Sequence, residues 1–126
     1  MICKGKIGPH EGIELELMLS RKKMLALFFN DMGVPGTFLP YIERGVFRCN
    51  YLVLVSQDKQ TPIELGAFIL FRPVHQKYAV QLEQLLKKSI GHFDPMVERE
   101  IGKLLGYQEE DISLYINNCK KELRQA

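Results

Sequence analysis

Val46-Phe47-Arg48-Cys49-Asn50-Tyr51-Leu52-Val53-Leu54-Val55 and, a short polar stretch later, Ile63-Glu64-Leu65-Gly66-Ala67-Phe68-Ile69-Leu70-Phe71 decide how this chain folds. Both runs are dense in β-branched and aromatic residues, which suit a pleated surface. The polar residues 56–61 separate them, so the pair reads as two arms of an antiparallel hairpin with a long loop. Strand alternation puts Phe47, Cys49, Tyr51, Val53 and Val55 on one face and Arg48 and Asn50 on the other. Both arms turn apolar on both faces toward residues 52–55 and 67–71. Part of the hairpin is therefore expected to be covered from two sides.

Working toward the N-terminus, Met24-Leu25-Ala26-Leu27-Phe28-Phe29 is a short apolar run between turn signals and reads as a buried strand. Residues 30–36 break the chain with Asn, Asp, Gly and Pro. Thr37 is the expected N-cap of a helix of about two turns carrying Phe38, Tyr41 and Ile42, with Pro40 in its first turn and Gly45 ending it. Residues 13–19 alternate as a strand would, yet Glu, Leu and Met are good helix formers. A short helix over 11–20 is the preferred reading.

Toward the C-terminus the period changes to that of helices. Tyr78, Leu82, Leu85, Leu86 and Ile90 form an amphipathic stripe over 75–90. Asp94-Pro95 is an N-cap with proline at the first helical position, followed by Val97, Ile101, Leu104 and Leu105, with Gly106 as the C-terminal cap and Tyr107 folding back on Ile101. A last helix carries Ile112, Tyr115, Ile116, Cys119 and Leu123 on one side. The expected fold is α+β: a small, mostly antiparallel sheet with strands near 24–29, 46–55 and 63–71, short N-terminal helices, and a three-helix C-terminal half. Without repeats or linkers, residues 1–126 are read as one domain, 1–74 holding the sheet and 75–126 the helices.

The chain has 126 residues, 46% hydrophobic and 25% charged, with net charge +2. That balance excludes wholesale disorder. No apolar run approaches the ~20 residues a membrane span needs, and the first residues lack the apolar core of a signal peptide. Three cysteines, Cys3, Cys49 and Cys119, are an odd and sparse set without a C-x-x-C, which points to a reducing, cytoplasmic setting. Cys49 and Cys119 are expected to act as small buried hydrophobes, with Cys3 in a mobile end.

Basic residues cluster as Arg21-Lys22-Lys23, Lys87-Lys88, and Lys120-Lys121 with Arg124, each at the end of an expected helix. Glu109-Glu110-Asp111 falls at a helix start. The helix dipole favours both placements. A helix-turn-helix reading of the last two helices fails on those acids, since phosphates would meet them first. Nucleic acid is thus a disfavoured partner, and weak binding of it ranks third among the functional readings.

Chemistry-bearing residues are few. His10 and Glu14 stand four apart and, on a helix, would share a face as two metal ligands. The string His10-Glu11-Gly12-Ile13-Glu14 lacks the second histidine of a zincin, and acids in the first turn of a helix explain it more simply. His92 and Asp94 could converge on a metal or pair as base and orienter, although Asp94 already has work as a cap. His75 follows a strand and Asp31 lies in the loop after one. The segment 30–37 occupies the place where α/β folds bind anions, but it holds no lysine and no phosphate-loop pattern.

The first expectation is therefore a small intracellular binding or regulatory protein without catalysis and without a cofactor, engaging a protein partner or a second copy of itself. The alternative is a small metal-assisted or general acid–base enzyme. Its catalytic residues would come from His10, Glu11, Glu14, Asp31, His75 and His92, and its metal ligands from His10, Glu14, His92 and Asp94.

Overall fold

The computed structural model describes residues 9–56 and 63–125. Within them the chain runs α1 (Glu14–Leu19), β1 (Leu25–Phe29), α2 (Leu39–Glu43), β2 (Arg48–Val55), β3 (Glu64–Phe71), α3 (Gln76–Ser89), α4 (Pro95–Leu104) and α5 (Glu109–Gln125), with 3-10 turns at Gly36–Phe38 and Pro73–His75. This is an α+β fold: five helices and an antiparallel three-stranded sheet of order β1-β3-β2.

Strand β3 is the centre because it is the most apolar. Its register aligns Phe71 with Leu25 on one side and Arg48 on the other, and Ala67 with Phe29 and Leu52. One sheet face carries Leu25, Leu52, Leu54, Ala67, Ile69 and Phe71 against Ala79, Leu82 and Leu86 of α3, with Ile101 and Leu105 beyond. The opposite face carries Ala26 and Leu70 beneath Met18 of α1, Phe38 and Phe47. The expected two-sided cover thus exists where β3 ends. It does not extend to the far end of β2, where Tyr51, Val53 and Val55 are about half exposed. The apolar letters misled there because β2 is an edge strand, and the short α1 and α2 reach only one end of that face.

The α3 stripe is present, with Leu82 and Leu86 buried and Tyr78, Leu85 and Ile90 packed beside them. Asp94 caps α4 as expected, its Oδ1 accepting the Met96 N–H at 3.0 Å, with Pro95 following. Gly106, at φ +81°, ends that turn, and the Tyr107 N–H returns to the Gly102 carbonyl at 3.0 Å. Ile112, Ile116 and Cys119 of α5 are buried.

Three local expectations are corrected. Thr37 caps nothing: it lies inside the 3-10 turn, and α2 begins at Leu39 without a side-chain cap. Leu123 is 42% exposed, so the apolar side of α5 is not buried along its whole length. Cys119 is fully buried but is not a free thiol, so it is more than a small hydrophobe; Cys49 is free and half-buried. Cys3 lies outside the described residues. No helix among the described residues is long and apolar enough to cross a membrane.

Candidate functional site

Helix α1 ends in an unusual turn. Arg21 takes φ 64°, the left-handed conformation usually left to glycine, and the Lys22 N–H returns to the Leu17 carbonyl at 2.9 Å. That reversal drives Lys23 inward rather than into solvent. Lys23 is 4% exposed; its ammonium donates to the Leu105 carbonyl at the end of α4, lies 3.1 Å from His10 Nδ1, and sits 4.9 Å over the Tyr107 ring. The expected role, complementing the end of its own helix, is not the one Lys23 takes. Instead Lys23 serves the C-terminus of a helix some eighty residues away, where a cation satisfies an orphan carbonyl and opposes the dipole. Burial lowers its pKa to about 8, against which the Glu14 carboxylate acts.

This contact makes a pH prediction. A lysine that binds its proton more weakly folded than unfolded destabilises the fold while charged. The penalty is complete below pH 8 and is relieved as pH rises from 8 toward 10.5, the ordinary value. Tyr107, pushed up to about 12 by burial, contributes stability that is lost from pH 10 upward, so the gain should flatten there. Unfolding free energies from urea titrations at pH 7.5, 8.5 and 9.5 should rise in the native chain, by at most ~1.4 kcal/mol per pH unit. They should rise less in Lys23→Met. An equal rise in both would mean Lys23 is not the group responsible.

Beyond Tyr107 lies a cavity of about 840 Å³, within the range of small-molecule sites. Its apolar wall comes from Leu27 and Phe29 of β1, Leu86 of α3, Ile101 of α4 and Ile112 of α5. Short β1 is the sheet's other edge strand, so nothing hydrogen-bonds to its outer side among the described strands. Helices α4 and α5 close the far side and meet at Gly102, where an added Cβ would stand 2.7 Å from Ile112 Cγ1.

Among the described residues the charged lining is acidic: Glu11, Glu14, Asp31, Glu98 and Asp111. Each of three has a structural contact as well. Glu14 accepts the Gly12 N–H, Asp31 accepts the Met32 N–H, and the buried Glu98 takes the Ser89 hydroxyl at 3.1 Å on both oxygens. Burial raises the Glu98 carboxyl above its ordinary value.

The residues singled out from sequence divide accordingly. Glu11, Glu14 and Asp31 come together around the cavity, while none of the three histidines lines it. His10 lies in the turn before α1, not on a helix with Glu14, so the assumed four-residue ligand spacing does not arise. Its ring meets Tyr107 edge-on at 4.6 Å, and its pKa is lowered by burial and then by Lys23. His75 sits at the β3–α3 junction beside Tyr78, and its Nδ1 is buried without a hydrogen bond among the described residues. His92 is exposed in the turn before α4, and Asp94 is the cap already described. Among the described residues no group of three or more His, Cys, Asp or Glu is placed to hold a metal ion.

Sequence reading missed Lys23, Tyr107, Glu98 and Asp111. Glu98 had a signal: with Ile101 and Leu105 it repeats at spacings of three and four, an acid on an apolar stripe. Of the basic clusters, Lys87 pairs with Glu83 at 3.3 Å, and Glu109 at the start of α5 pairs with Arg99. Compared with known proteins, the chain matches no protein family, no curated protein and no solved structure.

Proposed function

We propose that this is a small binding protein without catalysis, whose ligand site is the cavity between β1 and helices α3, α4 and α5. The observation that carries the reading is that cavity's character: about 840 Å³, walled by apolar side chains, with carboxylates as its charged groups among the described residues. Support also comes from what the titratable groups do. Glu14, Asp31 and Glu98 hold backbone or hydroxyl donors, and His10 is spent on Lys23 and Tyr107. A nucleophile beside a base, which catalysis would call for, is not among these contacts.

Native mass spectrometry of the untagged protein, purified without chelators, tests this. The expected spectrum shows a small organic adduct that survives in His10→Ala and is lost in Leu27→Trp, where the indole fills the cavity. A metal-ion adduct lost in His10→Ala or His92→Ala would contradict the reading and favour the metal-assisted enzyme.

A further inference from the structure

We propose that residues 1–8 act as a redox-controlled strap over the cavity, latched by a disulfide between Cys3 and Cys119. The inference rests on the binding reading above and adds the regulation of that site. The chain has three cysteines, Cys3, Cys49 and Cys119. Cys119 is disulfide-bonded, and Cys49 is a free thiol. Within one chain that leaves Cys3 as the partner of Cys119.

Two groups bring the start of the chain to the same part of the fold. Cys119 is completely buried on α5, one helical turn beyond Tyr115, which lines the cavity. Glu98 of α4, also a lining residue, is buried; burial raises its carboxyl, and the amino-terminal ammonium acts in the opposite direction. The short turn at 105–108 makes α4 and α5 a hairpin that packs Gly102 on Ile112. One turn back from that contact along α4 is Glu98, and one turn on along α5 is Ile116. Glu98 and Cys119 therefore belong to the same end of the helix pair. The segment's other end is fixed too, because Pro9 leads into Glu11 and Gly12 of the lining. From Pro9 to Cys3 the chain spans at most about 20 Å, and bonding Cys3 to Cys119 links two parts of the cavity's rim.

The composition of the segment suits that path. Met1, Ile2 and Ile7 match an apolar wall, and Lys4 and Lys6 are opposite in charge to Glu11, Glu14, Asp31 and Asp111. Closing the latch takes two electrons and two protons from the Cys3 and Cys119 thiols. A small-molecule disulfide, such as oxidised glutathione, receives them and leaves as two thiols: one cysteine thiolate attacks it, and the other resolves the mixed disulfide. A dithiol reductant reverses the exchange. Latched, the apolar residues of the strap compete with a ligand at an effective concentration of order millimolar, enough to weaken binding by about tenfold.

The full chain, treated with oxidised glutathione at pH 8 and then alkylated in denaturant, is mapped by peptide mass spectrometry without reductant. The expected map joins the Cys3 peptide to that of Cys119 and shows Cys49 alkylated. Three alkylated cysteines, or Cys119 joined to Cys49 or to a second chain, would overturn the latch. Decanol, titrated by calorimetry below its solubility limit, should bind the reduced chain about tenfold more tightly than the oxidised one. Cys3→Ser should bind as the reduced chain does under both conditions, and Cys49→Ser should keep the difference. Equal affinity in the oxidised and reduced native chain would overturn the strap and leave the binding reading standing. Failure of decanol to bind either form or Cys3→Ser would overturn the binding reading and the gating with it, while the peptide map decides the bond independently.

Discussion

Replacing Phe71 with alanine lowers the unfolding free energy by about 4 kcal/mol, within the range for deleting a buried aromatic side chain. Phe71 is 1% exposed on the central strand, cross-strand from Leu25, and belongs to the core that joins the sheet to α3. Removing its ring takes away apolar burial and leaves a void that β3, held on both sides, cannot collapse to fill. For a chain of this length that corresponds to roughly 10–20 °C in melting temperature. Val53→Ala, on the exposed side of β2, should change stability by less than about 1 kcal/mol. Urea denaturation of both variants checks the pair. A loss below about 1 kcal/mol for Phe71→Ala would mean the sheet–helix core is not where the fold's stability is concentrated.

Gly102→Val should have the second largest effect, about 3 kcal/mol of destabilisation, and should abolish binding in the cavity. Glycine inside a helix gives up about 1 kcal/mol against alanine. Its presence in α4 is explained by the helix beside it: a Cβ at Gly102 would stand 2.7 Å from Ile112 Cγ1 and 3.0 Å from its Cδ1. Valine adds two further methyl groups, which the α4–α5 contact must open to admit. Both residues also line the cavity, so the displacement changes its shape as well as its stability. Gly102→Ala should fall between, its helix propensity offsetting part of the overlap. Thermal melts of the two variants, with a ligand titration on whichever remains folded at 20 °C, supply the check. Undiminished stability in Gly102→Val would show that the helices do not need this close approach.

What could be read from the sequence was local. The two arms at 48–55 and 64–71 declared themselves through β-branched and aromatic letters, and Asp94-Pro95 through capping chemistry, because in both cases the deciding groups are near neighbours in the chain. Thr37 shows the limit of that logic: its residue type suits a cap, but a 3-10 turn took the position. Tyr51, Val53 and Val55 show another, since alternation assigns a face without saying whether anything covers it.

The site was less legible for a stronger reason. Its lining draws on the α1 approach, β1, the following loop and three C-terminal helices, so no window of sequence contains it. Glu11, Glu14 and Asp31 were picked out as chemistry-bearing residues, yet the spacing argument sought ligands for a metal, and their arrangement around an apolar volume appears only in the fold. Its residue type and place in the chain put Lys23 with Arg21 and Lys22 as a cation at the end of its own helix. Only the left-handed turn at Arg21 shows why it is buried against Leu105 and Tyr107 instead.

The most direct test of the central claim, that the cavity is a ligand site, is a two-dimensional amide NMR titration of the full chain with decanol, an uncharged probe for its apolar wall. Binding there should shift the amides of Leu15, Leu27, Phe29, Ile101 and Ile112, which line this cavity, and leave Val53 and Val80 on the exposed surface still. Shifts confined to Tyr51, Val53 and Val55, or spread evenly over the surface, would contradict the account.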